Sequence, residues 1–160
     1  MFELAVSDRG SQLFETANGQ ISELQALLST ADQATLRKPC AGREKLGDGT
    51  VAALAQHITD TYLRIADFAQ GGTERGHVGA PAHGHADTAH AADASELVGR
   101  LAAGRHALST LAQMADEQLD TVPPTGQARF CDGQRTLEQV LSAMLRHQSR
   151  QIDALREAVA

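Results

Sequence analysis

Apolar residues recur every three or four positions in four separate stretches of this chain, and no stretch shows the period-two alternation of a half-buried strand. A period of 3.6 gathers such residues on one face of a helix, and that face needs other helices to cover it. The first stretch runs from about 7 to 30, with Leu13, Ala17, Leu24, Leu27 and Leu28 in register behind Ser7 or Asp8 as the cap. The second starts at Thr50, a favourable N-cap. It carries Val51, Leu54, Ala55, Ile58, Tyr62 and Ile65 on a narrow arc until Gln70-Gly71-Gly72 ends it. The third, about 95 to 116, presents Leu97, Leu101, Leu108 and Leu111 and is broken by VPPTG. The fourth, about 135 to 158, carries Leu137, Val140, Leu141, Met144, Ile152 and Leu155, with Gln148 and Gln151 set inside the stripe. Two amides on an apolar face need hydrogen-bond partners. The expected fold is all-α, a four-helix bundle in a single domain over 1–160.

Composition agrees. The 160 residues, 42% of them hydrophobic, suffice for one core and are too few for two ordinary domains. With 3% aromatic residues and no Trp, that core must be built from aliphatic side chains, which suits packed helices. A net charge of −6 and no extended Lys/Arg cluster argue against a nucleic-acid partner. No run approaches the roughly 20 apolar residues of a membrane span. The start MFELAVSDRGS has no basic segment followed by an apolar core, so a cytoplasmic location is expected. In a reducing compartment Cys40 and Cys131 are expected as thiols rather than as a disulfide.

Two connections stand out. RKPCAGREKLGDG at 37–49 holds Pro39 and three glycines and surrounds Cys40 with Arg37, Lys38, Arg43 and Lys45. Cations lower a thiol pKa and attract anions, so Cys40 is a candidate nucleophile or third metal ligand, and the loop a candidate anchor for a carboxylate-bearing substrate such as a low-molecular-weight thiol. The stretch from 71 to 95 is rich in Gly, Ala and His and, at about two dozen residues, is longer than most helix-to-helix connections. It reads as a crossover or a lid, and His77, His83, His85 and His90 give it some capacity for metal.

The chemistry concentrates on two histidines. His57 lies at the rim of the second stripe and His147 at the rim of the fourth, with Gln151 one turn beyond His147. If these helices run antiparallel, the two rings stand at nearly matching depth and could share an ion, or could be neutral rings satisfied by Gln151, Asp60 or backbone carbonyls. Arg64, Arg146 and Arg150 add positive charge near this rim, while His106 falls opposite the leucines of the third helix and should be exposed.

GTVAALAQHITD at 49–60 and DGQRTLEQVLSAMLRHQSRQIDAL at 132–155 resemble the DinB/YfiT-like family of four-helix bundle proteins, and the likeness extends over nearly the whole chain. The resemblance implies a divalent ion, zinc or nickel, in a pocket of the bundle, often in a homodimer, and an activity of the thiol-dependent transferase, isomerase or hydrolase kind. It places metal ligands on His57 and His147 and a third on Gln151, where the family's His-x-x-x-His pattern has its second histidine. A related type uses a carboxylate one turn earlier, which here is Ala143. Gly49-Thr50 stand where the family has Trp-Ser. Two functions follow as expectations: a metal-dependent enzyme on an incomplete triad, or a non-enzymatic small-ligand-binding or dimeric scaffold protein that has lost the ion.

Overall fold

The N-cap at Thr50 does what its residue type dictates: its hydroxyl accepts from Ala53 N at 3.2 Å and starts a helix there. Asp93 with Glu96 and Thr136 with Gln139 form reciprocal capping boxes at two further starts. The computed structural model describes residues 8–71 and 93–160. These form α1 (Asp8–Thr30), α2 (Gln33–Arg37), α3 (Val51–Ala69), α4 (Ala94–Leu108), a 3-10 turn at Ser109–Gln113, α5 (Asp116–Leu119) and α6 (Leu137–Val159). The protein is all-α. The segment 72–92, with His77, His83, His85 and His90, lies outside the described residues, as does Ser7.

The stripes meet as their period requires. Ile21, Leu24, Leu54, Ile58, Leu97, Leu101 and Leu141 are fully buried, one aliphatic core shared by the four long helices. α1 packs on α4 and α6, and α3 packs on the same two, so the long helices surround the core in the order α1, α4, α3, α6. Cross-helix contacts give the directions. Asp60 pairs with Arg100 and Gln70 bonds Thr110, both at 3.3 Å, so α3 and α4 run parallel. Arg9 meets Glu138 at 2.6 Å, Gln20 donates to Leu145 O at 2.9 Å and Glu23 pairs with Arg156, so α1 and α6 are parallel too. Gly10 lies against Leu111 while Arg105 reaches Asn18 and Ser22, which makes α1 antiparallel to α4, and hence α3 antiparallel to α6. Parallel neighbours cannot be joined by a tight turn, which accounts for the length of chain between α3 and α4.

Three local features depart from the sequence expectation. The third helix is not continuous to 116: it ends at Leu108, where Ser109 Oγ bonds His106 O (2.6 Å) and Thr110 Oγ1 bonds Ala107 O (3.1 Å), and the chain tightens into the 3-10 turn. That turn is where α1 comes closest, and Gly10 is the residue that lets it: a Cβ there would stand 2.2 Å from Leu111 O. Loop 37–49 is tied at its base by an antiparallel bridge, with Cys40 N donating to Gly49 O (2.7 Å) and Val51 N to Lys38 O (2.9 Å). The short α2 before it, capped by Asp32, carries too few residues for an apolar period to show.

A buried polar layer crosses the core. Tyr62 donates to Gln20 Oε1 at 2.7 Å, and the fully buried Gln148 donates through Nε2 to Ile58 O at 2.8 Å, which gives the nitrogen of one fourth-stripe amide its partner and leaves its buried oxygen without one among the described residues. No helix among the described residues is long and apolar enough to cross a membrane.

Candidate functional site

The bond from Gln148 to Ile58 O locks α6 against α3 one residue away from both candidate histidines, so His57 and His147 stand at one level of the α3–α6 seam. Antiparallel packing of the two helices produces this match, as the stripe positions require.

Around that level the side chains form a chain of contacts. Arg43, on the loop between α2 and α3, donates from Nη2 to Gln151 Oε1 at 3.0 Å. A guanidinium can only donate, so the carboxamide oxygen must face Arg43 and the amide nitrogen must face the other way. There it lies 3.4 Å from His147 Nε2. An amide nitrogen also only donates, so His147 Nε2 accepts and the ring carries its hydrogen on Nδ1. Gln151 is 8% exposed, and both of its ends are used. Near His147, the Phe130 ring is tilted by 59° at 6.3 Å between centroids, and the Arg129 guanidinium lies 5.3 Å from the centre of that ring. Phe130 holds φ at 76°, a region a bulky residue occupies only when its surroundings compel it. Arg135 bonds the Phe130 carbonyl at 3.1 Å and helps to hold it there.

His57 faces a small cavity of about 140 Å³ lined by Leu46, Asp48, Ala53, Gln56, His57 and Asp60. Burial, aided by the positive charges of Arg64, Arg129 and Arg43 and by the His147 ring, holds its pKa down to about 4. His147 is lowered as well, first by burial and then by Arg129, Arg150 and Arg43. Burial raises the Asp60 carboxyl, with Arg100 and Arg64 opposing. At neutral pH the seam therefore presents two uncharged imidazoles inside a ring of guanidinium groups.

Two uncharged imidazoles are suitable ligands for zinc or nickel, and a third is required. Gln151 turns a nitrogen toward His147 while Arg43 occupies its oxygen, and Ala143 offers no donor atom. Among the described residues no three His, Cys, Asp or Glu side chains come together as a metal-binding group. Guanidinium groups on several sides also disfavour a dication. The residues present fit such an ion poorly.

Cys40 is 4% exposed and sits in the apolar core, with its backbone spent on the loop bridge. It lies under the loop rather than on its surface. Cys131 is also buried, and the two are not bonded to each other. His106 is exposed, as its position opposite the leucines requires. Of the rim arginines read from the sequence, Arg64 and Arg150 act on the histidines, whereas Arg146 lines a groove with Leu13, Gln20 and Leu145 between α1 and α6. Arg129 and Phe130 had no periodic signal to reveal them, because they lie in the irregular segment before α6.

The depressed pKa of His57 has a consequence for stability. The unfolded ring takes up a proton near pH 6.5 and the folded ring only near 4, so the contribution is complete above 6.5 and is lost as pH falls toward 4. Urea unfolding at pH 7.5 and pH 4.5 should show wild type losing about 2 kcal/mol more than His57→Gln, a figure reduced for partial exposure of the ring. Equal losses in the two proteins would show that His57 is not the group concerned.

Compared with protein-family models, with curated proteins and with solved structures, the chain finds no match.

Proposed function

We propose that this chain is a four-helix bundle of the DinB/YfiT type that binds a small molecule at the His57–His147 seam and does so without a resident metal ion. The spacing of His57 behind Gly49-Thr50 and of His147 in the last helix supports the family assignment, as does the arrangement of two parallel helix pairs around one core. The observation that carries the function is the relay from Arg43 through Gln151 to His147. It uses up the carboxamide that would have to complete a metal site, yet it leaves both imidazoles neutral, with His147 oriented by the contact and His57 beside a cavity. Such a seam can recognise a ligand by hydrogen bonds and charge. A thiol-transfer role through Cys40 would require a thiol the ligand can reach, and Cys40 is covered.

Zinc and nickel titrations of tag-free protein test the reading. Wild type is expected to bind neither ion at the seam more tightly than about 10 µM, and chelator treatment should leave its thermal midpoint unchanged. A near-stoichiometric ion that is retained through purification and lost in both His57→Ala and His147→Ala would restore the metal-dependent enzyme as the correct reading.

A further inference from the structure

Four guanidinium groups reach the seam from four different places: Arg43 from the loop after α2, Arg64 from α3, Arg129 from the segment before α6, and Arg150 from α6. Three of them are positioned by uncharged groups. Arg43 bonds Gln151 Oε1 (3.0 Å), Arg64 bonds Thr61 Oγ1 (2.8 Å), and Arg129 rests over the Phe130 ring (5.3 Å). Among the described residues none of the four is in an ion pair, whereas Arg9, Arg100, Arg135 and Arg156 all pair with carboxylates. Of the two carboxylates that line the cavity, Asp48 caps the start of α3 through Thr50 and Asp60 pairs with Arg100 and lies near Arg64. In a chain of net charge −6, Arg43, Arg129 and Arg150, outside the ion pairs and away from Asp60, leave the seam a positive field.

We infer that the seam is an oxyanion site, which takes a small molecule through a carboxylate or phosphate head group placed between Arg43, Arg129 and the His147 ring. The inference rests on the reading of the seam as a small-molecule site and adds the chemical class. Guanidinium forks match the oxygens of either head group. The His147 Nδ1 hydrogen, set by the Gln151 contact, adds a neutral donor. The strained Phe130 backbone keeps an aromatic surface under Arg129 and against His147, which holds the cation at the seam.

NMR of the imidazole resonances, assigned with His57→Gln and His147→Gln, tests this at fixed pH and ionic strength with inorganic phosphate, succinate and uncharged 1,4-butanediol. Saturable shifts of His147 with phosphate or succinate, absent with butanediol, are expected. Saturation by succinate assigns a carboxylate head group, and saturation by phosphate a phosphate one. Affinity should fall at least about tenfold in Arg43→Gln and in Arg129→Gln, with helical content unchanged, and persist in Arg156→Gln, whose charge lies elsewhere. An equal loss in Arg156→Gln would overturn the inference. Butanediol shifting the resonances as succinate does would also overturn it while leaving small-molecule binding at the seam intact. Silence with all three probes would remove both.

Discussion

A Gln151→His variant is expected to bind zinc at least about 100-fold more tightly than wild type, measured by competition with a chromophoric chelator at pH 7.5. Position 151 lies one helical turn beyond His147 on the same face of α6, so the new imidazole projects beside the existing one. The change acts twice. It supplies the missing nitrogen donor, and it removes the carboxamide whose nitrogen occupies His147 Nε2 and whose oxygen holds Arg43 over the seam. Arg43, released, still opposes a cation, so Arg43→Leu combined with Gln151→His should bind more tightly than Gln151→His alone. If Gln151→His gains nothing, some other group already serves as third ligand, and the relay is not what keeps the seam free of metal. In the same variant the succinate or phosphate affinity should drop, because Arg43 has lost the contact that positions it.

The second large effect concerns the fold. Gly10→Ala is expected to lower stability by about 3 kcal/mol, a fall in thermal midpoint of roughly 6–12 °C. A methyl group 2.2 Å from the Leu111 carbonyl oxygen cannot be accommodated by a side-chain rotation, since the atom it meets is backbone. Either α1 or the 3-10 turn must retreat, and both are pressed against the core through Leu13 and Leu111. The helix-propensity gain of replacing glycine, about 1 kcal/mol at most, offsets only part of this. Gly19 in the same helix provides the control: no atom lies within 4 Å of a Cβ built there, so Gly19→Ala should stabilise by about 0.5–1 kcal/mol. Opposite signs for two identical substitutions in one helix separate the close approach from propensity. Destabilisation of the same size at both positions would show that α1 does not pack on the turn in this way.

Legibility in the sequence followed distance along the chain. Thr50 was readable as a helix start because a cap involves residues within three positions, and the leucine stripes because one helical turn repeats within four. The pairing of levels between His57 and His147 was also accessible, as it needed only the stripes and the antiparallel option. The end of α4 at Leu108 was not. Ser109 and Thr110 turn their hydroxyls back on His106 O and Ala107 O at the turn, a side-chain choice that the apolar period does not carry, and α1 packs there through Gly10, about a hundred residues away in sequence. Arg129 and Phe130 escaped for a similar reason: the irregular segment that carries them has no period, and its path over the seam depends on where α6 is docked.

Periodicity and capping establish that the chain is helical, which face of each long helix is buried, about where those helices begin, and that two imidazoles belong at the rim of facing stripes. Each of these is a local matter of periodicity and capping, settled within one or two turns. What surrounds those imidazoles depends on segments brought together from far apart in the chain. Gln151 read as an interrupted stripe position could have been a metal ligand, a lone amide or a hydrogen-bond partner. Its role is decided by Arg43, 108 residues earlier, arriving within 3.0 Å of its oxygen. A donor that cannot accept dictates the orientation of the amide, the amide dictates the tautomer of His147, and no pattern in the residues between them encodes that meeting.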